Sequence, residues 1–125
     1  MRKEMYMDTE NPRIEWQTKS GKSCLKFTFQ DKLTEDMAGA AIKKWQEAFQ
    51  SKPGEKFILV WDCLKMAGYD NGSRTQWQIA LKEMKDQIDT VWLITKSNVI
   101  RMGASVMSLF SSLEIKTVTS ESEIT

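Results

Sequence analysis

Two short apolar segments constrain the fold of this chain more than any other feature. Residues 57–61 and 91–94 are apolar at every position, a pattern typical of strands that are covered on both faces of a sheet. Around them, apolar residues recur at helical spacing over 34–50, about 74–88 and about 98–113. Strands that alternate with helices indicate parallel strands joined by helical crossovers. The sequence therefore predicts an α/β domain.

A hairpin precedes this alternating region. Residues 13–18 and 23–30 alternate apolar and polar side chains, and Lys19-Ser20-Gly21-Lys22 between them is a turn sequence. A last strand is predicted over 115–118. The order is ββαβαβαβ, and we expect a mixed, mainly parallel sheet with helices packed on it.

The apolar stripes of the predicted helices are expected to face the core. For the third helix this stripe consists of Val99, Gly103, either Val106 or Met107, Phe110 and Leu113. The Met and Trp positions of all the stripes are interpreted as core residues and not as cofactor contacts.

Length and composition indicate one domain of ordinary solubility. The 125 residues are 41% apolar and 28% charged, which suits a single hydrophobic core. We expect residues 1–12 to be a loose lead-in and residues 13–125 to be the domain. The net charge of +1 argues against nucleic-acid binding. No apolar run approaches the ~20 residues of a membrane span and no secretory signal is visible, so a cytoplasmic location is expected.

The chain contains no histidine, which removes the commonest general base and metal ligand. The two cysteines, Cys24 and Cys63, lie within or beside apolar strands and are interpreted as small buried hydrophobes. We therefore expect no catalytic activity, no metal and no cofactor.

The polar loop Asp70-Asn71-Gly72-Ser73, just before the second predicted helix, is the main candidate for a functional site. The N-terminus of a helix presents unpaired N–H groups and can hold an anion or a phosphorylated side chain. The alternative is structural: Asp70 or Asn71 makes the turn and Ser73 caps the helix. Asp62, at the end of the central strand, either orients this loop or a ligand, or is a solvated strand end.

A second loop, Lys96-Ser97-Asn98, follows the next parallel strand. Ligands of open α/β sheets bind near such loops, at the carboxyl ends of the strands. We therefore expect one edge of the sheet to hold Asp62, Asp70, Ser73 and Ser97, with Arg101 one turn further along the third helix.

The segment order and residues 62–73 resemble the STAS domain, the sulfate transporter and anti-sigma-factor antagonist module, and especially its small SpoIIAA-like members. In that family an apolar strand leads into an acidic or amide residue, and an Asp-Ser-Ser-Gly signature later opens a helix. Here Val60-Trp61-Asp62-Cys63-Leu64 matches the strand end and Asp70-Asn71-Gly72-Ser73 matches the signature. The resemblance covers most of residues 13–124.

This signature departs from the family at the phosphate acceptor. Asp70 matches the family's aspartate, whereas Gly72 falls where the phosphorylated serine would be. Ser73 or Thr75 can replace that serine only if the loop shifts by a residue or more. The resemblance thus supports the fold better than a phosphorylation switch.

Our leading hypothesis is a non-catalytic STAS-like regulatory domain that binds a protein partner, of the partner-switching anti-sigma-factor-antagonist type without the usual phosphoserine. Its docking surface would be residues 70–75 and the adjoining helix. The alternative is a small-molecule or lipid sensor, which requires an apolar pocket between helices and sheet. A homodimer also remains open, because the first hairpin can leave an unpaired sheet edge.

Overall fold

The computed structural model describes residues 10–124, and these form a five-stranded sheet with three α-helices. The strands are β1 (Arg13–Lys19), β2 (Lys22–Leu33), β3 (Phe57–Tyr69), β4 (Ile88–Ile94) and β5 (Ile115–Val118). The helices are α1 (Glu35–Gln50), α2 (Asn71–Glu83) and α3 (Asn98–Ser111), with 3₁₀ turns at Lys85–Gln87 and Glu121–Glu123.

The strands lie side by side in chain order. β1 runs antiparallel to β2, and each later pair of neighbours is parallel. Because each crossover adds a strand in the same direction, right-handed connections place the three helices on one face of the sheet. The mainly parallel α/β sheet with helices packed on it is confirmed.

Two residues with positive φ form the turn between β1 and β2. Ser20 has a φ of 53° and Gly21 a φ of 78°, as a type I′ hairpin turn requires. This turn matches the twist of the strands and brings Lys19 opposite Lys22. The predicted hairpin is therefore present.

The residues just before β1 are held to the sheet. Asn11 is buried; its side-chain amide donates to the Gln30 carbonyl (2.6 Å), and its side-chain oxygen accepts from the Gln30 N–H (3.0 Å). This paired contact fixes residues 11 and 12, where the sequence predicts a loose lead-in. Residues 1–9 of that segment lie outside the described residues.

Aromatic rings form the centre of the core between the sheet and the helices. Phe27 of β2 meets Trp45 of α1 edge-on at 5.4 Å between ring centroids, and Trp45 lies 5.3 Å from Trp77 of α2. Trp77 in turn meets Trp61 of β3 at 6.1 Å. Each of these four rings is almost fully buried. They fix α1 and α2 against the two central strands.

The opposite face of the sheet has a smaller apolar cluster, formed by Cys24, Ile58, Val60 and Ile94. Ile124 packs against this cluster from the C-terminal turn. In the same turn the Glu121 carboxylate binds the ammonium groups of Lys19 and Lys26, each at 2.9 Å. Hydrogen bonds from these two lysines lower the pKa of Glu121. Apolar and ionic contacts thus hold the C-terminal turn on this face.

Two boundaries differ from those that the sequence predicts. β3 continues beyond its apolar start to Tyr69, because it pairs with β2 as far as Leu33. Beyond the pair Asp62–Ile94 it has no pairing with β4, so this half of the strand lacks the continuous apolar pattern. α2 begins at Asn71 and ends at Glu83, so Ile88 lies in β4 and not in the predicted helix.

We expect Phe27→Ala to lower the free energy of unfolding by about 3–5 kcal/mol, because the substitution leaves a cavity among fully buried rings. The matched control is Phe110→Ala, whose ring is 46% exposed and whose loss should cost about 1 kcal/mol. Urea denaturation measures both changes. Equal losses for the two variants would contradict this account of the core.

Candidate functional site

Asp70 joins the N-termini of two helices. It caps α2, with Oδ1 accepting from the Ser73 N–H at 2.8 Å, and its Oδ2 accepts from the Glu35 N–H of α1 at 3.1 Å. These hydrogen bonds to the carboxylate, chiefly the one from Ser73, lower the pKa of Asp70. The cap of α2 is therefore Asp70, whereas the sequence alternative placed Ser73 in that role.

Ser73 is fully buried beneath the loop. Its hydroxyl lies 2.8 Å from the Asp70 carbonyl oxygen and 3.2 Å from that of Leu33. A kinase could reach this hydroxyl only after the start of α2 had opened. Thr75 is exposed, with its hydroxyl donating to the Asn71 carbonyl at 3.0 Å.

Gly72, at the position of the family's phosphoserine, faces the side chain of Glu35. A Cβ built on Gly72 would lie 2.6 Å from the Glu35 Cδ atom, so any side chain here requires Glu35 to move. A phosphate at this position would also meet a carboxylate of like charge. A phosphoserine at this position is therefore disfavoured both by the space that Glu35 occupies and by the charge of its carboxylate.

Asp62 lies apart from this loop. It is in the middle of β3, eight residues before Asp70, and its Oδ1 accepts from the Leu64 N–H at 3.2 Å. Trp61 and Cys63 on either side belong to the helix-side core, so the alternation of the strand puts Asp62 on the other face. The structure does not bring Asp62 and Asp70 together, because β3 is longer than the sequence predicts.

Ser97 and Arg101 lie at the start of α3. Ser97 is the N-cap, and its Oγ accepts from the Ile100 N–H at 3.2 Å. Arg101 is exposed in the first turn. Ser97 thus has a structural role as a helix cap, whereas the exposed Arg101 side chain is accessible to a partner protein.

A cavity of about 50 Å³ lies between α2, α3 and the sheet, and the sequence did not locate it. Its walls are mostly apolar and include Trp61, Cys63, Met66, Trp77, Ile100 and Met107. Of the predicted docking loop 70–75, Ser73 and Arg74 line it. Residue pattern could not reveal the cavity, because its walls are positions that helical spacing assigns to the core.

The outward face of α3 exposes five large apolar side chains, which we call the α3 stripe: Val99, Met102, Val106, Leu109 and Phe110. The buried side of the helix is instead formed by Ile100, Gly103, Ala104, Met107 and Ser111. The sequence interpretation of Val99 and Phe110 as core residues is therefore wrong, and of the alternatives Val106 and Met107 it is Met107 that is buried. α3 is apolar on two sides, so spacing alone could not decide which side the sheet covers.

Residues 10–124 contain no group of three or more cysteine, aspartate and glutamate side chains that could hold a metal ion. No helix in this range has both the length and the apolar character needed to cross a membrane.

Comparisons with known proteins agree with the fold. No protein-family model and no curated protein matches the chain. A similar solved structure is that of an uncharacterized protein from the DUF3478 family, with a SpoIIAA-like fold, from Shewanella loihica PV-4. The TM-score is 0.73 at 13% identity, over 90% of this chain and 89% of that chain. At this identity the likeness concerns the fold, and the predicted SpoIIAA-like architecture is confirmed.

We expect Asp70→Asn to destabilise the protein at neutral pH and to have little effect in acid. Because the folded-state pKa is below the ordinary value, the charged form stabilises the fold above the unfolded-state pKa, and this contribution is lost as the pH falls through the folded-state pKa. Urea denaturation at several pH values measures the difference from wild type, which should shrink below about pH 4. Asp86→Asn, in the exposed turn before β4, is the control. A difference that is independent of pH would contradict the role of the charge.

We expect neither cysteine to react with a thiol reagent in the native protein. Burial raises the pKa of Cys24 to about 11, and burial together with the nearby Asp62 charge raises the pKa of Cys63. Few thiolates are then present at pH 8. Labelling with Ellman's reagent before and after unfolding in urea tests this. Rapid labelling of one thiol in the native state would show that the protein opens on that side.

Proposed function

We propose that this chain is a non-catalytic protein-interaction domain, and that the α3 stripe is its docking surface for an acidic, amphipathic segment of a partner protein. One observation carries the proposal: the five apolar side chains of the stripe are between 46% and 85% exposed. Together they present on the order of several hundred Å² of apolar surface, the size at which such patches mark interaction sites.

The spacing of the stripe suits a helical partner. Val99, Met102, Val106 and Leu109 follow each other at intervals of three, four and three residues. This is the spacing of the apolar seam by which one helix packs against another. An amphipathic helix of the partner would therefore bury the stripe along its length.

The charges beside the stripe favour an acidic partner. The Lys82 ammonium of α2 lies 5.1 Å from the centre of the Phe110 ring, and Arg101 is exposed on α3 itself. α3 contains no carboxylate. Within residues 10–124 neither cation has a carboxylate partner at ion-pair distance. An acidic segment would pair with both cations.

The same charges argue against a second copy on this surface. Two α3 stripes packed on each other would bring Lys82 and Arg101 of both copies toward one another, with like charges unpaired. A homodimer, which the sequence left open, would then form more readily at the free edge of β1. We therefore propose that a different protein, and not a second copy of this chain, binds the α3 stripe.

The polar groups of the predicted site support a role without catalysis. Asp70 and Ser97 cap helices, and the Ser73 hydroxyl is engaged with two carbonyl oxygens. Thr75, the exposed hydroxyl in the predicted docking loop, remains our candidate for a modification that would switch partners. Its phosphate would add negative charge to the same side of the sheet and would weaken the binding of an acidic segment.

The test begins with a photo-crosslinking amino acid at Leu109 in the native organism and a matched one at Leu64, which is exposed on β3. A protein captured only from position 109 is then purified and titrated against the domain. We expect Leu109→Glu to weaken binding about tenfold or more, because it places a charge in the apolar seam. Leu64→Glu should leave binding unchanged, and added salt should weaken it.

Two results would contradict the proposal. One is equal capture from positions 109 and 64. The other is a dimer of the purified domain, measured by light scattering, that Leu109→Glu converts to monomer, since the stripe would then be occupied by a second copy.

A further inference from the structure

β1 is an edge strand, and its outer side has no neighbouring strand among residues 10–124. Proteins often protect such an edge with a bulge, a proline or a very short strand, because its free N–H and C=O groups can pair with another chain. β1 has seven residues, contains no proline or glycine, and pairs with β2 without a bulge. The charged side chains of β1 then decide which strand can pair with it.

The type I′ turn at Ser20-Gly21 fixes which backbone groups of β1 face outward. In such a turn the two flanking residues, Lys19 and Lys22, form a hydrogen-bonded pair. Because this orientation alternates along a strand, the outward N–H and C=O groups belong to alternate residues: Ile14, Trp16 and Thr18. An antiparallel second copy can therefore pair with β1 in those registers that set outward-facing residues opposite one another.

The charges of β1 favour one of these registers. With Trp16 opposite Trp16, Arg13 would face Lys19, and with Glu15 opposite Glu15, two carboxylates would meet. Like charges directly opposite each other destabilise a sheet. With Gln17 opposite Gln17, Glu15 of each copy faces Lys19 of the other. Registers centred on either end of the strand pair fewer of its residues.

Glu15 and Lys19 are both placed to form this ion pair. Glu15 is exposed and forms no ion pair within residues 10–124; its neighbour across the strands, Lys26, binds Glu121 instead. Lys19 also binds Glu121, at 2.9 Å, but its side chain is 25% exposed and an ammonium has three N–H donors. A second carboxylate can therefore reach Lys19 from the open edge.

Trp16 adds apolar surface on the helix side of the same edge. Its ring is 37% exposed and is held by Phe57, at 5.1 Å between ring centroids, and by the Lys52 ammonium, at 4.6 Å from the ring centre. With Gln17 opposite Gln17, Trp16 of each copy faces Thr18 of the other. The two Trp16 rings are then diagonal neighbours within reach of each other, so pairing covers their exposed part.

We infer that two copies of this chain pair through β1, antiparallel and with Gln17 at the two-fold axis, to form one continuous sheet. A symmetric contact of this kind closes on itself and leaves neither β1 edge free. α3 connects β4 and β5 at the other end of the sheet, so both α3 stripes stay exposed. The inference does not depend on the docking proposal.

The first test measures the wild-type chain by sedimentation velocity over a range of concentrations. We expect a reversible dimer, and Leu109→Glu should leave it unchanged because the α3 stripe is not part of the contact. A chain that stays monomeric up to about 1 mM, or a dimer that Leu109→Glu abolishes, would overturn the inference.

Gln17→Cys tests the register. Residues opposite each other in a non-hydrogen-bonded pair have Cα atoms about 4.5 Å apart, within the range of a disulfide, and the native Cys24 and Cys63 are buried. Under mild oxidation Gln17→Cys should form a disulfide-linked dimer roughly tenfold or more faster than Glu15→Cys, because each Glu15 lies opposite Lys19 and far from the other Glu15. Equal rates, or faster cross-linking of Glu15→Cys, would contradict this register.

Glu15→Lys tests the ion pair. It sets two lysines opposite each other at both ends of the contact, so the dimer should weaken about tenfold or more. Glu114→Lys, the same change of charge at an exposed residue between α3 and β5, is the matched control and should leave the dimer unchanged. Full dimerisation of Glu15→Lys, or equal weakening by the two variants, would contradict the assigned pairing.

Discussion

The contact of Trp45 and Trp77 with the central strands is the interaction on which the rest of the structure depends. These two rings come from different helices and lie 5.3 Å apart over Phe27. Neither α1 nor α2 can shift along the sheet without breaking this packing, because aromatic pairs of this kind depend on geometry as well as on buried area. Asp70 reinforces the arrangement at one end, where its carboxylate binds the N-termini of both helices.

α3 is packed in a different way, and both the cavity and the α3 stripe follow from this difference. It offers the sheet Gly103, Ala104 and Met107 instead of a tryptophan, so the space beside Trp77 is incompletely filled. Its outward side is apolar and exposed. One helix therefore borders a cavity on its inner side and exposes the apolar α3 stripe on its outer side, while α1 and α2 serve mainly to complete the core.

The residues of the loop before α2 have structural roles, although their sequence resembles the SpoIIAA-like signature. The aspartate is retained as a helix cap, the serine after the glycine is buried, and the glycine faces Glu35. The loop thus begins a helix as the fold requires, while its side chains disfavour phosphorylation at the same position. The likeness to the Shewanella structure is consistent with this view, because it extends over 90% of the chain at 13% identity. Fold can be retained with few residues in common, since packing tolerates many apolar substitutions.

The sequence by itself determined the sheet, the order of its elements and their class. Continuous apolar strands such as 57–61 and the Ser20-Gly21 turn are local signals, and local geometry follows from them. Only the tertiary structure decided which side of α3 is buried, how far β3 extends beside β2, and that Asp62 and Asp70 lie apart. These outcomes depend on which surfaces meet across the sheet. A helix that is apolar on two sides, or a strand paired on one side only, leaves that choice to contacts between residues far apart in the chain. The cavity belongs to the same class, because the size of a space is set by side chains from several elements together.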